Sequence, residues 1–195
     1  HVCSSDLDKG AFYTASVIFA TGLLAAPKTG SDGSAIPHIE RLGHHFIDIV
    51  PALVQLQGKQ SFFKSVAGIR AECEVSLFVE NEQIQSDTGE LQLTDYGISG
   101  IPVFQISRYA TRALSQGKEV HAELNFLPWL NAPQSFSLLR KRFFKYHHEK
   151  NAAEALSGLV HKKLADMLLK ESRIDRNMRA ADVRLAALQR LCDTM

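Results

Sequence analysis

The chain has 195 residues, 45% of them apolar, and a formal charge of +1, which suits one good hydrophobic core or a small core with a satellite subdomain. No stretch approaches eighteen uninterrupted apolar residues, and the opening has no basic region followed by an apolar run and a cleavage site. Neither a membrane span nor a secretion signal is therefore read, and a cytoplasmic setting is the expectation. Cys3, Cys73 and Cys192 form no C-x-x-C pair, which excludes an encoded zinc knuckle or disulfide framework.

Residues 1–7 resemble a translated sequencing adapter and are expected to be a non-native leader. Val17-Ile18-Phe19-Ala20 is a short apolar run ending at Thr21-Gly22, which predicts a buried strand entering a loop. That loop is rich in Gly, Pro, Ser and Thr over 21–37, and 39–43 finishes a short helix. Residues 46–56 and 65–80 carry β-branched residues and alternation suited to strands. Polar clusters at Glu80-Asn81-Glu82 and Ser86-Asp87-Thr88-Gly89 predict turns of a hairpin or meander, with another strand over 91–94. Helical spacing over 101–114 ends at Gly117, and 120–126 reads as a strand closed by Pro128. Beyond Pro133 the apolar residues recur at three- and four-residue intervals, which predicts helices at about 134–147, 152–157, 160–171 and 178–193.

Charge is divided unevenly along the chain. Residues 1–133 hold 9 Lys/Arg against 14 Asp/Glu, whereas 134–195 hold 13 against 7. Two subdomains attracting one another would use that polarity, and so would a basic face for an anionic partner. The run Arg140-Lys141-Arg142-Phe143-Phe144-Lys145-Tyr146-His147-His148 mixes basic and aromatic residues, as a nucleic-acid grip would. At helical spacing, however, Leu139, Phe143 and Tyr146 fall on one side, predicting that they pack inward while the charges stay solvated. His44-His45 and His147-His148 are adjacent pairs pointing to different sides of an element, so no metal site is expected. Ser99 has no base partner at a diagnostic spacing, and no Gly-x-Ser-x-Gly elbow occurs, so nucleophilic hydrolysis has no support.

Two constellations bear on cofactor chemistry. Ala20-Thr21-Gly22 followed by Pro27-Lys28-Thr29-Gly30-Ser31-Asp32-Gly33 combines a strand ending in glycine with a Gly-rich loop. Without the Lys-Ser/Thr ending it is no P-loop. Leu93-Thr94-Asp95-Tyr96-Gly97-Ile98-Ser99-Gly100 stands between a predicted strand and a predicted helix, where the glycines either make a plain turn or let backbone N–H groups face an anion or a flavin edge. With Gly43-His44, Pro51-Ala52-Leu53-Val54-Gln55-Leu56 and Gly89-Glu90-Leu91, these pieces occur in an order that resembles the aminoacetone-oxidase-like flavoproteins, which include the BaiN-type NAD(P)/FAD-dependent oxidoreductases. The resemblance extends over most of the chain. Leu23, Ala25 and Ile101 depart from it, standing where the family has glycine, serine and a directly adjoining Gly-Pro.

The resemblance implies an α+β fold made of three parts after the leader. Residues 8–44 would be a remnant of a Rossmann-type FAD-binding domain, 45–133 a small antiparallel β-barrel-like insert, and 134–195 a helical subdomain. No G-x-G-x-x-G follows an N-terminal strand, so the chain is expected to be the family's insert region, whose partners are the missing Rossmann halves of the same polypeptide and a small-molecule substrate. FAD, and NAD(P)H with it, would belong to the full-length parent, and the fragment alone would be inactive. Thr21, Gly22, Thr29, Gly30 and Ser31 are the implied cofactor-binding residues. Gly97, Ile98, Ser99 and Gly100 are implied on the substrate or flavin side, and no residue is assigned as catalytic acid or base. The alternative left open is a nucleic-acid-binding barrel and helix module with a basic helical half.

Overall fold

The computed structural model describes residues 2–3 and 12–195; apart from Val2 and Cys3, the expected leader lies outside them. The chain divides into two compact units, His1–Ile49 and Val50–Met195. No helix among the described residues is long and apolar enough to cross a membrane.

Among its described residues the first unit holds little regular structure. β1 (Val2–Cys3) pairs antiparallel with β2 (Phe12–Tyr13). Residues 17–20, predicted as a buried strand, pair with nothing among the described residues, and Ile18 is 91% exposed. An extended apolar segment becomes a strand only when a neighbour takes its main-chain groups, and here none does. Its described residues also form a 3-10 turn over Pro27–Thr29 and one helical turn, α1 (Ile36–Glu40). The short helix thus ends at Glu40, earlier than the 39–43 stretch that was expected to finish it.

The second unit is built on a five-stranded antiparallel sheet in the order β3-β6-β5-β4-β7. Its elements are β3 (Leu56–Gln57), α2 (Phe63–Val66), β4 (Arg70–Val79), β5 (Glu82–Leu93), β6 (Gly97–Gly100), α3 (Ile101–Ser115) and β7 (Val120–Asn125). Of the strand predicted over 46–56 only Leu56 survives, and 65–80 begins as helix and becomes strand at Arg70. Glu80 and Asn81, with φ of 51° and 69°, make the two-residue turn of the β4–β5 hairpin, the left-handed pair that matches strand twist. Ser86-Asp87-Thr88-Gly89 is not a turn, because β5 continues through it under ten residues of β4 pairing. The register shifts between Leu77 and Phe78, leaving Ile84 as an extra residue on β5.

Alternation decides which face is dry. Cys73, Val75 and Leu77 of β4, with Leu91 and Leu93 of β5, are buried, and α3 packs against that sheet through Val103, Ile106 and Ala110. The same core cluster runs through Phe126 and Leu127 into a helical layer: α4 (Ala132–Lys141), a π-helical turn Arg142–Tyr146, α5 (Ala152–Ala155), α6 (Lys162–Glu171) and α7 (Leu185–Thr194). The helix predicted over 178–193 starts only at Leu185. Before it, main-chain groups are drawn off laterally, with Ala152 N–H donating to Met178 O at 2.8 Å and Ala180 N–H to Lys150 O at 2.8 Å. The π turn also alters the predicted inner face: Leu139 and Phe143 are fully buried, while Tyr146 is 58% exposed. One extra residue in the turn rotates the positions after it about the helix axis. The whole is α+β, an open antiparallel sheet with one packed helix followed by a helical layer.

Candidate functional site

In the first unit the Gly-rich loop folds back on itself. Ala26 and Ser31 exchange main-chain bonds at 3.4 and 3.3 Å, and Thr29 N–H and Oγ1 both donate to Ala26 O at 2.9 Å. Gly30, at φ 100°, ends the 3-10 turn with its N–H on Pro27 O. The amides of Thr29, Gly30 and Ser31 are therefore spent inside the loop. What the loop brings together is Gly22 and Ser31: a Cβ on Gly22, at φ 66°, would stand 2.6 Å from Ser31 Oγ. Thr21, Gly22, Thr29 and Gly30 are exposed and Ser31 half-buried. Asp32 Oδ1 accepts Ser34 N–H at 3.0 Å, and bonding to the Ser34 side chain and main chain holds this carboxyl below its ordinary range.

In the second unit Gly97, Ile98, Ser99 and Gly100 are β6 itself, wedged between β3 and β5. A Cβ on Gly97 would run into Leu56 O and lie 2.9 Å from Gln57 Cα. Gly100, at φ 108°, would likewise meet Glu90 O. Both glycines are thus required by close backbone approach. Ile98 joins the core and Ser99 is 5% exposed, so neither side chain is free to reach outward.

The structure also joins two pieces of sequence that carry no visible link. The 51–56 segment lies on α3 and β6: Thr111 Oγ1 donates to Pro51 O at 2.5 Å, Val54 N–H donates to Ser107 Oγ at 3.2 Å, and Tyr96 OH donates to Gln55 Oε1. Ser107 and Thr111 were not singled out from sequence. Their four-residue spacing on one helix face was the available signal.

Around these elements runs a groove of about 1440 Å³, lined by residues 54–60, by 118–127 and by 192–195. Its titratable groups include Glu74, Lys118, His121 and Glu123. Cys73, fully buried beneath the sheet, has its thiol pushed up to about 12, first by burial and then by Glu74 and Glu72, which keeps it an inert thiol. Burial likewise raises Cys192. No group of three or more His, Cys, Asp or Glu among the described residues is placed to hold a metal.

The histidine pairs converge on nothing of that kind. His44 and His45 are exposed. His147 Nδ1 is buried without a partner, and desolvation, then Arg142 and Lys150, hold this ring below its ordinary pKa. Several arginines of the basic half are engaged internally. Arg142 donates to Ala155 O at 2.7 Å and Ser157 O at 2.5 Å, Arg176 pairs with Asp166 at 2.7 Å, and Arg179 donates to His148 O.

Comparison with known proteins sets these elements in context. Residues 50–195 match the model described as the HI0933-like protein barrel and H2TH domain. Over 174 residues the chain is 40% identical to the 3-dehydro-bile acid delta(4,6)-reductase of Clostridium scindens, a match covering 87% of this chain and 41% of that protein. The chain thus spans about two fifths of the length of the curated relative it matches.

Proposed function

From the premise that the chain belongs to the HI0933-like barrel and H2TH family, within the BaiN and aminoacetone-oxidase-like oxidoreductases, we propose that it is the insert-bearing portion of a flavin-dependent reductase. The observation that carries this is the family match over the whole second unit, 50–195. In this reading the parent binds FAD mainly through Rossmann segments outside this chain, and the insert covers the flavin and shapes a small-molecule pocket. FAD, when bound, supplies hydride transfer between NAD(P)H and the substrate.

The residues of the first unit fit such a cofactor at one point. The bare Cα of Gly22 lets the Ser31 side chain pack directly against it, which fixes where that hydroxyl is offered to the cofactor. Thr29 and Gly30 shape the turn that presents Ser31, since their amides are engaged within the loop. Thr21 precedes the approach point on the exposed side. Ser99 and Ile98 act from within the sheet, so Gly97 and Gly100 set the height of β6 while α3 follows directly after Gly100. The relative's name extends the reading to double-bond reduction in a small organic molecule. The engagement of Arg142, Arg176 and Arg179 inside the helical layer supports a structural use of its basic residues over a nucleic-acid grip.

The test is to purify the full-length parent and follow flavin absorbance and NAD(P)H consumption. Stoichiometric flavin that NAD(P)H reduces is the expected result, and Gly22→Val should lower flavin occupancy. A parent that folds but carries no flavin, and regains none when FAD is added, would sink the reading.

A further inference from the structure

A second cavity, of about 370 Å³, opens among the helices and shares no lining residue with the groove. It follows from the brevity of α5. That helix ends at Ala155 after four residues, and the chain turns at Gly158, with φ of 76°, before α6 begins at Lys162. Leu156, Val160 and Ala165 give the cavity apolar walls, and Leu156 and Ala165 are buried. Bonds from neighbouring elements fix its frame: Arg142 donates to Ser157 O at 2.5 Å, and Ala153 N–H donates to Arg176 O at 3.1 Å.

Four charged side chains line the cavity and cancel, Glu154 and Asp166 against Lys162 and Arg176. Lys162 and Asp166 stand four residues apart, on one face of α6. Glu154 belongs to the α5 cap, where its Oε2 accepts Asn151 N–H at 3.0 Å. Asp166 is only half engaged. Its Oδ2 accepts from Arg176 Nη1 at 2.7 Å, whereas Oδ1 is closed off from solvent and accepts nothing among the described residues. A buried carboxylate oxygen calls for a donor. Arg176, whose guanidinium carries five N–H groups, gives one of them to Oδ2. The cavity therefore lacks one donor at Asp166 and has donors beside it at Arg176 and Lys162.

We infer that this cavity binds a neutral small molecule bearing a carboxamide on an apolar body. The amide N–H donates to Asp166 Oδ1, the amide oxygen accepts from Arg176 or Lys162, and the body lies on Leu156, Val160 and Ala165. Size agrees, since ordinary small-molecule sites span roughly 300–1,000 Å³. The cancelled charges give no net pull on an ion, while one missing donor next to free donors selects an edge that donates and accepts side by side, as an amide does. The Asp166 side chain as a whole is 28% exposed, and the terminal torsion of a carboxylate is broad, so a turn of the group presents Oδ1 to the cavity. The inference does not rest on the flavin.

The experiment is a titration of benzamide into the full-length parent, followed by saturation-transfer NMR, beside benzoate and N,N-dimethylbenzamide. Benzamide should bind at least about tenfold more tightly than either, because neither of the others has an N–H to donate. Ala153→Leu narrows the cavity and leaves the polar pair alone; it should weaken benzamide binding at least about tenfold with the circular dichroism unchanged. Asp166→Asn should weaken it several-fold, through loss of the charged acceptor. If Ala153→Leu fails to fold, the probe series and Asp166→Asn still decide. No binding of benzamide up to about 10 mM would mean that water alone serves Oδ1, and would overturn the inference. Equal affinity for the three probes would overturn it too, as would binding that survives both substitutions and so lies elsewhere.

Discussion

Residues 14–49 and 50–195 answer differently to the same amino-acid preferences. In the first stretch no side chain is fully buried, and Val17, Ile18, Leu42 and Ile47 stand 47%, 91%, 63% and 82% exposed. In the second, a continuous cluster from Phe63 to Met195 excludes water from sheet and helices alike. The first unit keeps its loop by short-range main-chain bonds such as Ala26 with Ser31, while the second gains its stability from burial. An apolar run states a need for cover; whether the cover lies in the same segment is a separate matter.

The contrast can be broken at its strongest point. Phe143→Ala should cost about 3–5 kcal/mol in denaturant unfolding, because the ring is fully buried between the helices. A loss below about 1 kcal/mol would mean the helical core is not packed as described. Gly97→Ala comes next, at about 1–3 kcal/mol, since the new methyl meets β3 backbone rather than a yielding side chain.

A pH series sharpens the comparison further, because only the second unit hides a described titratable thiol. The folded pKa of Cys73, about 12, lies above the ordinary 9.0, so the neutral form is the one the fold favours. Its contribution is full below pH 9 and is lost as pH rises from 9 toward 12. Unfolding free energy should drop by roughly 1–2 kcal/mol between pH 8 and 10.5 through this group. Cys73→Ala should flatten that part of the slope, and an unchanged slope would assign the loss to other groups. The smallest effects belong to the first unit: Ile18→Ala and Ile47→Ala should shift the stability of this chain by no more than about 0.5 kcal/mol.

Much of the second unit was legible in its residues. The helical pattern of 101–114 became Ile101–Ser115, and the strand 120–126 became Val120–Asn125, because both have a face that the pattern itself specifies. The helices expected from about 134 and 152 begin at Ala132 and Ala152, each fixed by a reciprocal cap that had not been singled out from sequence, Asn131 with Gln134 and Asn151 with Glu154, with bonds of 2.9–3.0 Å. What was not legible depended on partners distant in sequence. Ser86-Asp87-Thr88-Gly89 has turn chemistry but lies under β4, and register outweighed local preference. Residues 178–184 were expected to open the last helix, yet Arg176, Met178 and Ala180 are bonded across to 150–153, and only a 3-10 turn over Ala180–Asp182 forms before α7. At the candidate site the glycines were visible, but their cause was not: Gly97 is small because Leu56 O sits where a side chain would begin.

The order of the sheet also bears on how the molecule comes together in time. β4, β5 and β6 follow one another in sequence and lie side by side, whereas β3 reaches β6 across some forty residues and β7 reaches β4 from beyond α3. Short loops close at lower entropic cost than long ones, so the meander anchored by Glu80-Asn81 is the part that assembles early, with both outer strands joining afterward. Substitutions at Val75 and Leu91 should then slow folding, while those at Leu124 chiefly hasten unfolding, a division that refolding and unfolding rates in denaturant would read directly. A folding chain would accordingly have its central ribbon in place before either rim is paired, and the rims are where it stays longest open to mispairing.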